Sequence, residues 1–410
     1  MASLRPLRAQ GMACSMARTS LRPIQCATSL KTWPTSRTQI RCKSGPYSYT
    51  QAKSLVFSEY GEPKDVLKLH SHSISPTLPP SSVLLRTLAA PINPADVNTI
   101  QGTYGAKPTF DTLLGTPTPS VVPGNEGALE VVSSTSADLS PGDWVIPKKT
   151  QFGTWRTHAL VPSSAVIKVD KNGLTPEQVA TVSVNPCSAY RMLRDYAQPQ
   201  PLREGDWFVQ NGANSGVGRA AIQLGRLWGY RSINVVRARE TPELDAALKQ
   251  ELLELGATHV VTEQEFTARE FRDRLAEWTR GNREGVRLGL NCVGGKSAQT
   301  VAYSLGRGGT MVTYGGMSRA PVALPTGLLI FKDIRFVGFW LSRWADGDAE
   351  AKERTVAEIL GLIREGKFKD VPIVKVPWTW ETEAKELMNA VQGTFKGFRK
   401  GKGVFEFKDT

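Results

Sequence analysis

The sequence lacks two features that would assign it to common protein classes. Its five cysteines in 410 residues are too few for a secreted domain that depends on disulfides. It also has no run of about 18 uncharged apolar residues, the length that a membrane-spanning helix needs. Hydrophobic residues make up 40% and charged residues 22%, which excludes a chain that is disordered throughout. The length favours two or three domains.

Acidic residues are missing from the beginning of the chain, where the first carboxylate is Glu59. The first 45 residues contain eight arginines and lysines together with many serines and threonines. This composition is typical of a mitochondrial transit peptide, whereas a secretory signal needs a continuous apolar core. We therefore predict a transit peptide over residues 1–45, cleavage between Arg41 and Tyr49, and a location in the mitochondrial matrix. The alternative is a plain basic tail.

The high positive charge of the whole chain is concentrated in that first segment. The net charge is +13, but the residues after position 45 carry 43 basic and 38 acidic groups, a net charge of +5. A charge of this size over most of the chain does not indicate a nucleic-acid-binding protein. We expect neither a nucleic acid partner nor a membrane span.

The spacing of apolar residues changes near position 187. Residues 46–186 contain short apolar or alternating runs separated by glycine and proline, which predicts a mostly antiparallel, barrel-like domain. One helix is expected within it, beginning at Pro94 and ending at Gly102. Residues 187–341 alternate apolar runs with helical periods, which predicts a doubly wound parallel sheet. The run RFVGFWL is interpreted as its last strand. Residues 342–410 add a helix and a basic carboxyl-terminal stretch.

A glycine-rich turn lies between the first predicted strand and helix of the parallel sheet, in GDWFVQNGANSGVGRAAIQLG. A turn of this kind directs backbone N–H groups and the positive end of a helix at one point, which suits a pyrophosphate. The turn departs from the G-x-G-x-x-G pattern, because Ala213 and Ser215 replace the first two glycines. Gly216 and Gly218 remain, and both replacements are small. Together with its strand–turn–helix context, the motif predicts a dinucleotide site.

The residues after the second predicted strand favour NADPH over NADH. An NAD site usually places an acid about 20 residues beyond the glycines. Here Arg237 stands nineteen positions after Gly218, and Arg239 follows it. Guanidinium groups attract the 2′-phosphate that a carboxylate would repel. The alternatives are a solvated basic loop, or a site in which Glu240 supplies the acid.

Several other chemistries lack the residues that they need. Zinc sites use clusters of cysteine and histidine, and only two cysteines follow the first segment. Asn125 stands in PGNEGALEVV where a zinc-dependent relative would have histidine, and His158 and His259 are interpreted as structural. We therefore expect no metal. The single Tyr-x-x-x-Lys pair, Tyr49 and Lys53, lies far before the nucleotide turn and is interpreted as chance.

Seven motifs together resemble the mitochondrial trans-2-enoyl-thioester reductases, which are zinc-free members of the medium-chain dehydrogenase/reductase superfamily. They are PINPADVNTIQGTYG, NEGALEVV, VNPCSAYRML, GANSGVG, NCVGGK, TMVTYGGM and FKDIRFVGFWLSRW. The resemblance implies an α/β protein with a GroES-like, mostly-β catalytic domain over residues 46–186 and 342–410. A Rossmann-type cofactor domain over residues 187–341 interrupts it. The implied reaction is NADPH-dependent reduction of enoyl chains on acyl carrier protein or coenzyme A, by a homodimer joined through its cofactor domains.

The resemblance also implies roles for individual residues. Tyr104, in the loop GTYG, matches the family's proton donor. Its phenol is a weak acid that can donate near neutral pH once it is positioned. The family usually has aspartate between the two arginines, where this chain has Ala238. The implied cofactor contacts are Asn185, Asn214, Ser215, Gly216, Val217, Arg237, Ala238, Arg239, Tyr314, Gly315, Gly316, Met317, Phe339, Trp340, Leu341 and Lys402.

Several alternatives remain open at this point. Tyr104 can also be an ordinary aromatic turn residue, Trp340 part of a dimer-edge strand, and Asn185 a cap before Pro186. The basic stretch that contains Lys396, Arg399, Lys400 and Lys402 can attract an acidic acyl carrier protein or be a solvated tail. The alternative functions are an NADPH-dependent quinone oxidoreductase on the same scaffold and an NADPH-binding interaction protein without catalysis.

Overall fold

The computed structural model describes residues 48–395 and 401–410. The predicted transit peptide lies outside the described residues, as do Lys396, Arg399 and Lys400. Within the described ranges, no helix is both long and apolar enough to cross a membrane. The chain folds into two large sheets with helices packed around them, which confirms the predicted α/β fold class.

The first large sheet is seven-stranded and mostly antiparallel. A separate two-stranded sheet precedes it in the sequence. The small sheet pairs β1 (Thr50–Val56) with β2 (Lys68–Ile74). The strands of the large sheet are β3 (Ser82–Pro91), β4 (Ala128–Ser134), β5 (Trp144–Pro147), β6 (His158–Pro162), β7 (Val166–Val169), β14 (Ile373–Trp378) and β15 (Lys402–Phe407). Their order is β14-β15-β3-β4-β5-β7, and β6 also pairs with β3.

The second large sheet has six strands, all parallel. The strands are β8 (Trp207–Gln210), β9 (Arg231–Val236), β10 (His259–Thr262), β11 (Val286–Asn291), β12 (Leu305–Thr313) and β13 (Arg335–Gly338). The order β10-β9-β8-β11-β12-β13 reverses direction at β8. All four residues of β8 are buried, as expected for a strand covered on both faces. In such sheets the ligand crevice lies outside the carboxyl ends of the strands, where the order reverses.

Thirteen α-helices connect and cover the sheets in the described residues. Before β8 these are α1 (Pro63–Val66), α2 (Pro94–Ile100), α3 (Pro176–Thr181) and α4 (Asn185–Asp195). The parallel sheet adds α5 (Gly216–Leu227), α6 (Pro242–Leu255), α7 (Glu263–Thr267), α8 (Phe271–Trp278), α9 (Gly295–Ser304) and α10 (Thr326–Lys332). The tail adds α11 (Leu341–Gly347), α12 (Ala349–Arg364) and α13 (Ala384–Gln392), and short 3₁₀ turns occupy Ser163–Ala165 and Gly393–Phe395.

The last strands of the chain complete the first large sheet. β15 pairs antiparallel with β3, with Val404 opposite Pro91 and Phe405 opposite Ala90. The Phe405 ring packs edge-to-face against Trp155 and Trp378, all three being fully buried. Burial of three large aromatic side chains is a strong apolar driving force for this return of the chain. The domain limits at residues 186 and 341 stay a prediction.

One strand expectation was wrong. RFVGFWL does not continue as a strand through Leu341, because β13 ends at Gly338. Phe339 N–H still donates to Thr313 O at 3.0 Å, and Trp340 then becomes the residue that precedes the first turn of α11. This change of direction turns the residues after Gly338 away from the sheet.

Candidate active site

A single large cleft of 1710 Å³ contains almost all of the residues that the sequence analysis selected. Every implied catalytic or cofactor residue lines it, with the exception of Ala238. One wall comes from α2 and the loop after it, and the other from the carboxyl ends of the parallel strands. The cleft therefore lies where the strand order of the parallel sheet reverses.

Tyr104 is placed in the cleft by a loop that folds back on the end of α2. The backbone N–H groups of Thr103 and Tyr104 both donate to Asn98 O, at 2.9 and 3.1 Å. Gly102 permits this turn, since its φ is +70° and a Cβ would lie 2.8 Å from the Tyr60 ring. A residue other than glycine would be strained here and would also collide with Tyr60. The backbone of this loop thus fixes the position from which the half-buried Tyr104 side chain extends.

The hydroxyl of Tyr104 has two partners from the other wall of the cleft. Trp340 Nε1–H donates to Tyr104 Oη at 2.9 Å, and Ser342 Oγ lies 2.9 Å from the same oxygen. The Tyr104 and Trp340 rings meet edge-to-face, with centroids 5.9 Å apart. Because an indole can only donate, it leaves the Tyr104 proton available. When Ser342 also donates, that proton can point into the cleft.

The glycine-rich turn has the close backbone packing that a phosphate cradle requires. Ser215 precedes α5, and its hydroxyl accepts from Gly218 N–H at 3.1 Å. A Cβ on Gly218 would lie 2.4 Å from Ala213 O, and one on Gly216 would lie 2.7 Å from Asn185 Nδ2. Gly218 is therefore needed for the turn to close, and Gly216 leaves room for the Asn185 side chain. The turn presents the amino end of a twelve-residue helix to the cleft, which suits the pyrophosphate of a dinucleotide.

The far end of the cleft, beyond β9, is rich in guanidinium groups. Arg237 and Arg239 line it, and Arg239 N–H donates to Asp245 Oδ1 at 2.5 Å, in the first turn of α6. Burial, followed by the charge of Arg237, lowers the pKa of Arg239. The guanidinium groups of Arg237 and Arg239 at this end of the cleft fit the 2′-phosphate of NADPH.

Arg219 is a third guanidinium at this end, and the sequence analysis missed it. It binds Glu251 through two hydrogen bonds of 2.7 and 2.9 Å and also donates to Asn214 O at 3.1 Å. Glu251 also lines the cleft, and its pairing with Arg219 offsets a negative charge that would oppose a phosphate. The position of Arg219, one residue after Gly218, is the only sequence signal that could have found it.

The middle of the cleft is formed by the segments after β12 and β13. Tyr314, Gly315, Gly316 and Met317 line it, as do Phe339, Trp340 and Leu341. Burial, followed by the neighbouring Cys292, raises the pKa of Tyr314 well above its usual value. Tyr314 is therefore a neutral phenol at physiological pH. Met317 is 55% exposed, so the aromatic and methionine content of TMVTYGGM does not simply mark a core.

A buried polar cluster lies at the base of the cleft around Asn93. Asn125 donates to Asp96 Oδ1 from its backbone N–H at 3.0 Å and from its side chain at 2.6 Å. Asn93 Nδ2 donates to Glu126 Oε2 at 2.7 Å, and Lys402 donates to Asn93 Oδ1. Burial raises the pKa of Asp96 to about 6 and raises that of Glu126, and burial lowers the pKa of Lys402.

Asn125, where a zinc enzyme would have histidine, thus binds a carboxylate in this cluster. Among the residues described, no group of three or more histidine, cysteine, aspartate or glutamate side chains could hold a metal ion. His158 is buried beside Thr157, and His259 stacks on Trp278 with ring centroids 3.9 Å apart. Neither histidine lines the cleft.

These features define the class of protein. An antiparallel sheet completed by the carboxyl-terminal strands, a six-stranded parallel sheet and a dinucleotide cleft are the architecture of a medium-chain dehydrogenase/reductase. Residues 79–171 match the family model of the alcohol dehydrogenase GroES-like domain, and residues 216–358 match that of the zinc-binding dehydrogenases. Both matches agree with the predicted fold class.

Known proteins narrow the class to one family. The mitochondrial enoyl-[acyl-carrier-protein] reductase of Yarrowia lipolytica is 48% identical over 322 residues, which is 78% of this chain and 82% of that protein. The solved Etr1p/NADP/crotonyl-CoA complex is 40% identical, with a TM-score of 0.81 over 87% of this chain and 99% of that one. The Etr1p/Etr2p heterodimer from Candida tropicalis gives the same identity, coverage and TM-score. The chain belongs to the family of mitochondrial enoyl-[acyl-carrier-protein] reductases. This confirms the resemblance stated from the motifs, and the predicted mitochondrial location.

Proposed function

We propose that this chain uses NADPH to reduce the 2,3 double bond of trans-2-enoyl thioesters in mitochondrial fatty acid synthesis, with Tyr104 as the proton donor. The observation that carries the proposal is the position of the Tyr104 hydroxyl. It lies in the same cleft as the dinucleotide turn and is held by Trp340 and Ser342 at 2.9 Å each. A positioned acid opposite a dinucleotide site is what the addition of a hydride and a proton to a double bond requires.

NADPH is the cofactor that the residues fit. When bound, it supplies the hydride that adds to the β carbon of the acyl chain. The turn from Asn214 to Val217 is suited to bind the pyrophosphate at the amino end of α5. Arg237 and Arg239 bind the 2′-phosphate, and Arg219 keeps Glu251 neutralised beside them. Ala238 makes no contribution to the cleft surface, and Asp245 is the nearby acid that holds Arg239.

Tyr104 delivers the proton that the α carbon needs. Addition at the β carbon leaves negative charge on the thioester oxygen as an enolate, and protonation at the α carbon completes the reduction. As the Tyr104 proton leaves, negative charge develops on its oxygen. The Trp340 N–H donates to that oxygen, and once the proton has left, Ser342 can only donate to it as well, so both groups stabilise the charge. Ser342 therefore belongs to the proposed catalytic group, although the motifs did not select it.

The thioester is carried by coenzyme A or by acyl carrier protein. A basic stretch precedes β15 and the cleft residue Lys402 in the sequence. It contains Lys396, Arg399 and Lys400. We propose that this basic stretch attracts the acidic acyl carrier protein. The double variant Lys396→Glu, Arg399→Glu should slow carrier-bound substrates and spare coenzyme A thioesters; equal rates on both would remove the proposal.

A homodimer formed through the cofactor domains agrees with the free edge of the parallel sheet. β13 is the last strand of that sheet in the described residues, and its Val337 is 38% exposed. The adjacent α10 exposes Ile330 and Phe331, at 66% and 75%. An exposed strand edge beside exposed large apolar side chains is the surface that a second copy can cover.

The proposed function is tested with purified protein, NADPH and crotonyl-CoA. We expect the absorbance of NADPH to fall, and the amount of butyryl-CoA formed to equal the amount of NADPH consumed. A quinone in place of crotonyl-CoA serves as the control, and we expect much slower consumption with it. Faster turnover of the quinone, or binding of NADPH without reduction of either compound, would contradict the proposal.

A further inference from the structure

Glu126 connects the segments that precede α2 and α4 and, through Asn93, the cofactor residue Lys402, although it does not line the cleft itself. Its side chain is completely buried. Oε1 accepts from Val184 N–H at 3.2 Å, and Val184 directly precedes Asn185, the first residue of α4. Oε2 accepts from Asn93 Nδ2 at 2.7 Å, and Asn93 in turn accepts from Lys402 on β15. Each oxygen of one carboxylate is therefore bound to a different segment of the chain.

The amide of Asn93 has only one orientation that satisfies both of its neighbours. A carboxylate only accepts hydrogen bonds and an ammonium group only donates them. Asn93 must therefore present its NH₂ to Glu126 and its oxygen to Lys402. Burial raises the pKa of Glu126, and the Lys402 charge and the Asn93 hydrogen bond oppose that rise. The negative charge of Glu126, together with that of Asp96, in turn opposes the fall that burial causes in the pKa of Lys402. Glu126 thus orients the Asn93 oxygen that accepts from Lys402 and supplies part of the negative charge that favours the Lys402 ammonium.

We propose that Glu126 is a positioning residue for the reduction, which fixes Lys402 through Asn93 and the first turn of α4 through Val184. Lysine is a long, flexible side chain, and it binds a cofactor at one place only if its rotamers are restricted before binding. Asn185 lies within 2.7 Å of the position that a Gly216 Cβ would occupy, so a shift of α4 also disturbs the phosphate turn. The inference depends on the proposed function, in which Lys402 and Asn185 contact NADPH.

Substituting Glu126 with glutamine breaks the relay at a defined point. The new side chain can still accept from Val184 N–H, but it presents an NH₂ group to the NH₂ group of Asn93. If Asn93 turns its amide to correct this mismatch, two donors meet at Lys402 instead. The first arrangement leaves two NH₂ groups in contact, and the second removes the acceptor of Lys402. In both, Lys402 loses the negative charge of Glu126, while that of Asp96 remains. We expect the dissociation constant for NADPH to rise ~10-fold or more, the effect of one lost charge-assisted hydrogen bond.

An exchange of the two side chains restores the relay. In the double variant Glu126→Gln, Asn93→Asp, the new amide donates to the new carboxylate, which accepts from Lys402 with its other oxygen. Aspartate is also as good a residue as asparagine before the first turn of a helix, the position that Asn93 occupies before α2. We expect NADPH affinity to return to within ~3-fold of the original protein, whereas two unrelated buried substitutions would add their losses.

The experiment measures NADPH binding by fluorescence for the original protein, both variants, Lys402→Met, and Lys402→Met combined with Glu126→Gln. Because Glu126→Gln keeps the hydrogen bond from Val184 and disturbs only the contacts that lead to Lys402, it should have almost no further effect once Lys402 is methionine. The matched control is Glu130→Gln on β4, whose carboxylate bonds Arg86 at 3.4 Å and does not line the cleft. We expect it to bind NADPH normally.

Several outcomes would overturn the inference. They are unchanged NADPH affinity in Glu126→Gln, an additive loss with Lys402→Met, or a folded exchange variant that still binds weakly. If Glu126→Gln alone does not fold, the exchange variant decides the question by the same criterion. Failure of the original protein to bind NADPH or to reduce crotonyl-CoA would instead refute the proposed function.

Discussion

Replacing Tyr104 with phenylalanine removes one oxygen and leaves the ring in place. The edge-to-face contact with Trp340, at 5.9 Å between centroids, does not depend on the hydroxyl. The variant therefore loses the proton donor while the shape of the cleft is kept. General acid catalysis contributes ~10²–10⁴-fold to a rate, so we expect turnover to fall by that factor. At 1.36 kcal/mol per tenfold change, this is ~3–5 kcal/mol of lost transition-state stabilisation.

Stability and cofactor binding should change far less than turnover in this variant. Trp340 is 40% exposed, so water can accept from its N–H, and only the buried Ser342 loses a partner without replacement. One such loss costs ~1 kcal/mol of unfolding free energy. NADPH affinity should be unchanged, because the Tyr104 hydroxyl is not assigned to the cofactor.

The assay is single-turnover reduction of crotonyl-CoA, measured with NADPH affinity and urea unfolding on the same samples. Tyr60→Phe is the matched control, because Tyr60 packs against the same loop at Gly102 and does not line the cleft. It should keep normal kinetics. Turnover of Tyr104→Phe within ~3-fold of the original protein would refute Tyr104 as the proton donor, since general acids contribute far more.

Three further predictions concern selectivity, pH and assembly. Arg237→Ala or Arg239→Ala should raise the KM for NADPH ~10-fold and leave that for NADH nearly unchanged, since each removes a charge-assisted bond to the extra phosphate; equal effects on both cofactors would contradict this. Burial holds the pKa of His158 at about 4, below its unfolded value of 6.5, so the native state excludes a proton that the unfolded chain binds. The free energy of unfolding should therefore decrease as pH falls from about 6.5 to 4, by ~2–3 kcal/mol from this group. Urea unfolding of His158→Gln should show a smaller decrease over the same pH range; a pH dependence identical to that of the original protein would exclude the effect. Phe331→Asp should yield monomers in analytical ultracentrifugation, while Leu253→Asp, at an exposed apolar residue of α6, should not; unchanged dimers, or monomers in both, would dismiss the proposed interface.

Local patterns were sufficient to predict most of the fold. The three apolar residues that begin β8 and the amphipathic α5 are local features, and the turn between them follows from its glycines. The end of β13 was not predictable in the same way. An apolar run such as FVGFWL has the composition of both a strand and the first turn of a helix. The run alone does not encode that β13 ends at Gly338 and α11 begins at Leu341.

The site could be predicted only where a motif names its residues. Tyr104 was selected by its loop and by the family resemblance, whereas its partner Ser342 lies 238 residues later in the chain. Lys402 and Asn93 are separated by 309 positions, and Asn93 and Glu126, which also form a hydrogen bond, by 33. Buried polar contacts between distant segments leave no periodic signal in the sequence, because each residue is of a type that is common in its own segment.

The pairing of β15 with β3 has a consequence for how the enzyme matures. Synthesis and import both proceed from the amino terminus, so the nucleotide-binding half is delivered before the strand that carries Lys402. A newly arrived molecule can thus fold its parallel sheet while the neighbouring sheet still has a gap between β3 and β14. Enzymatic competence should therefore appear late, as a discrete event, when residues 402–407 fill that gap. Premature stop codons shortly before this strand should be as damaging as mutations in the cleft.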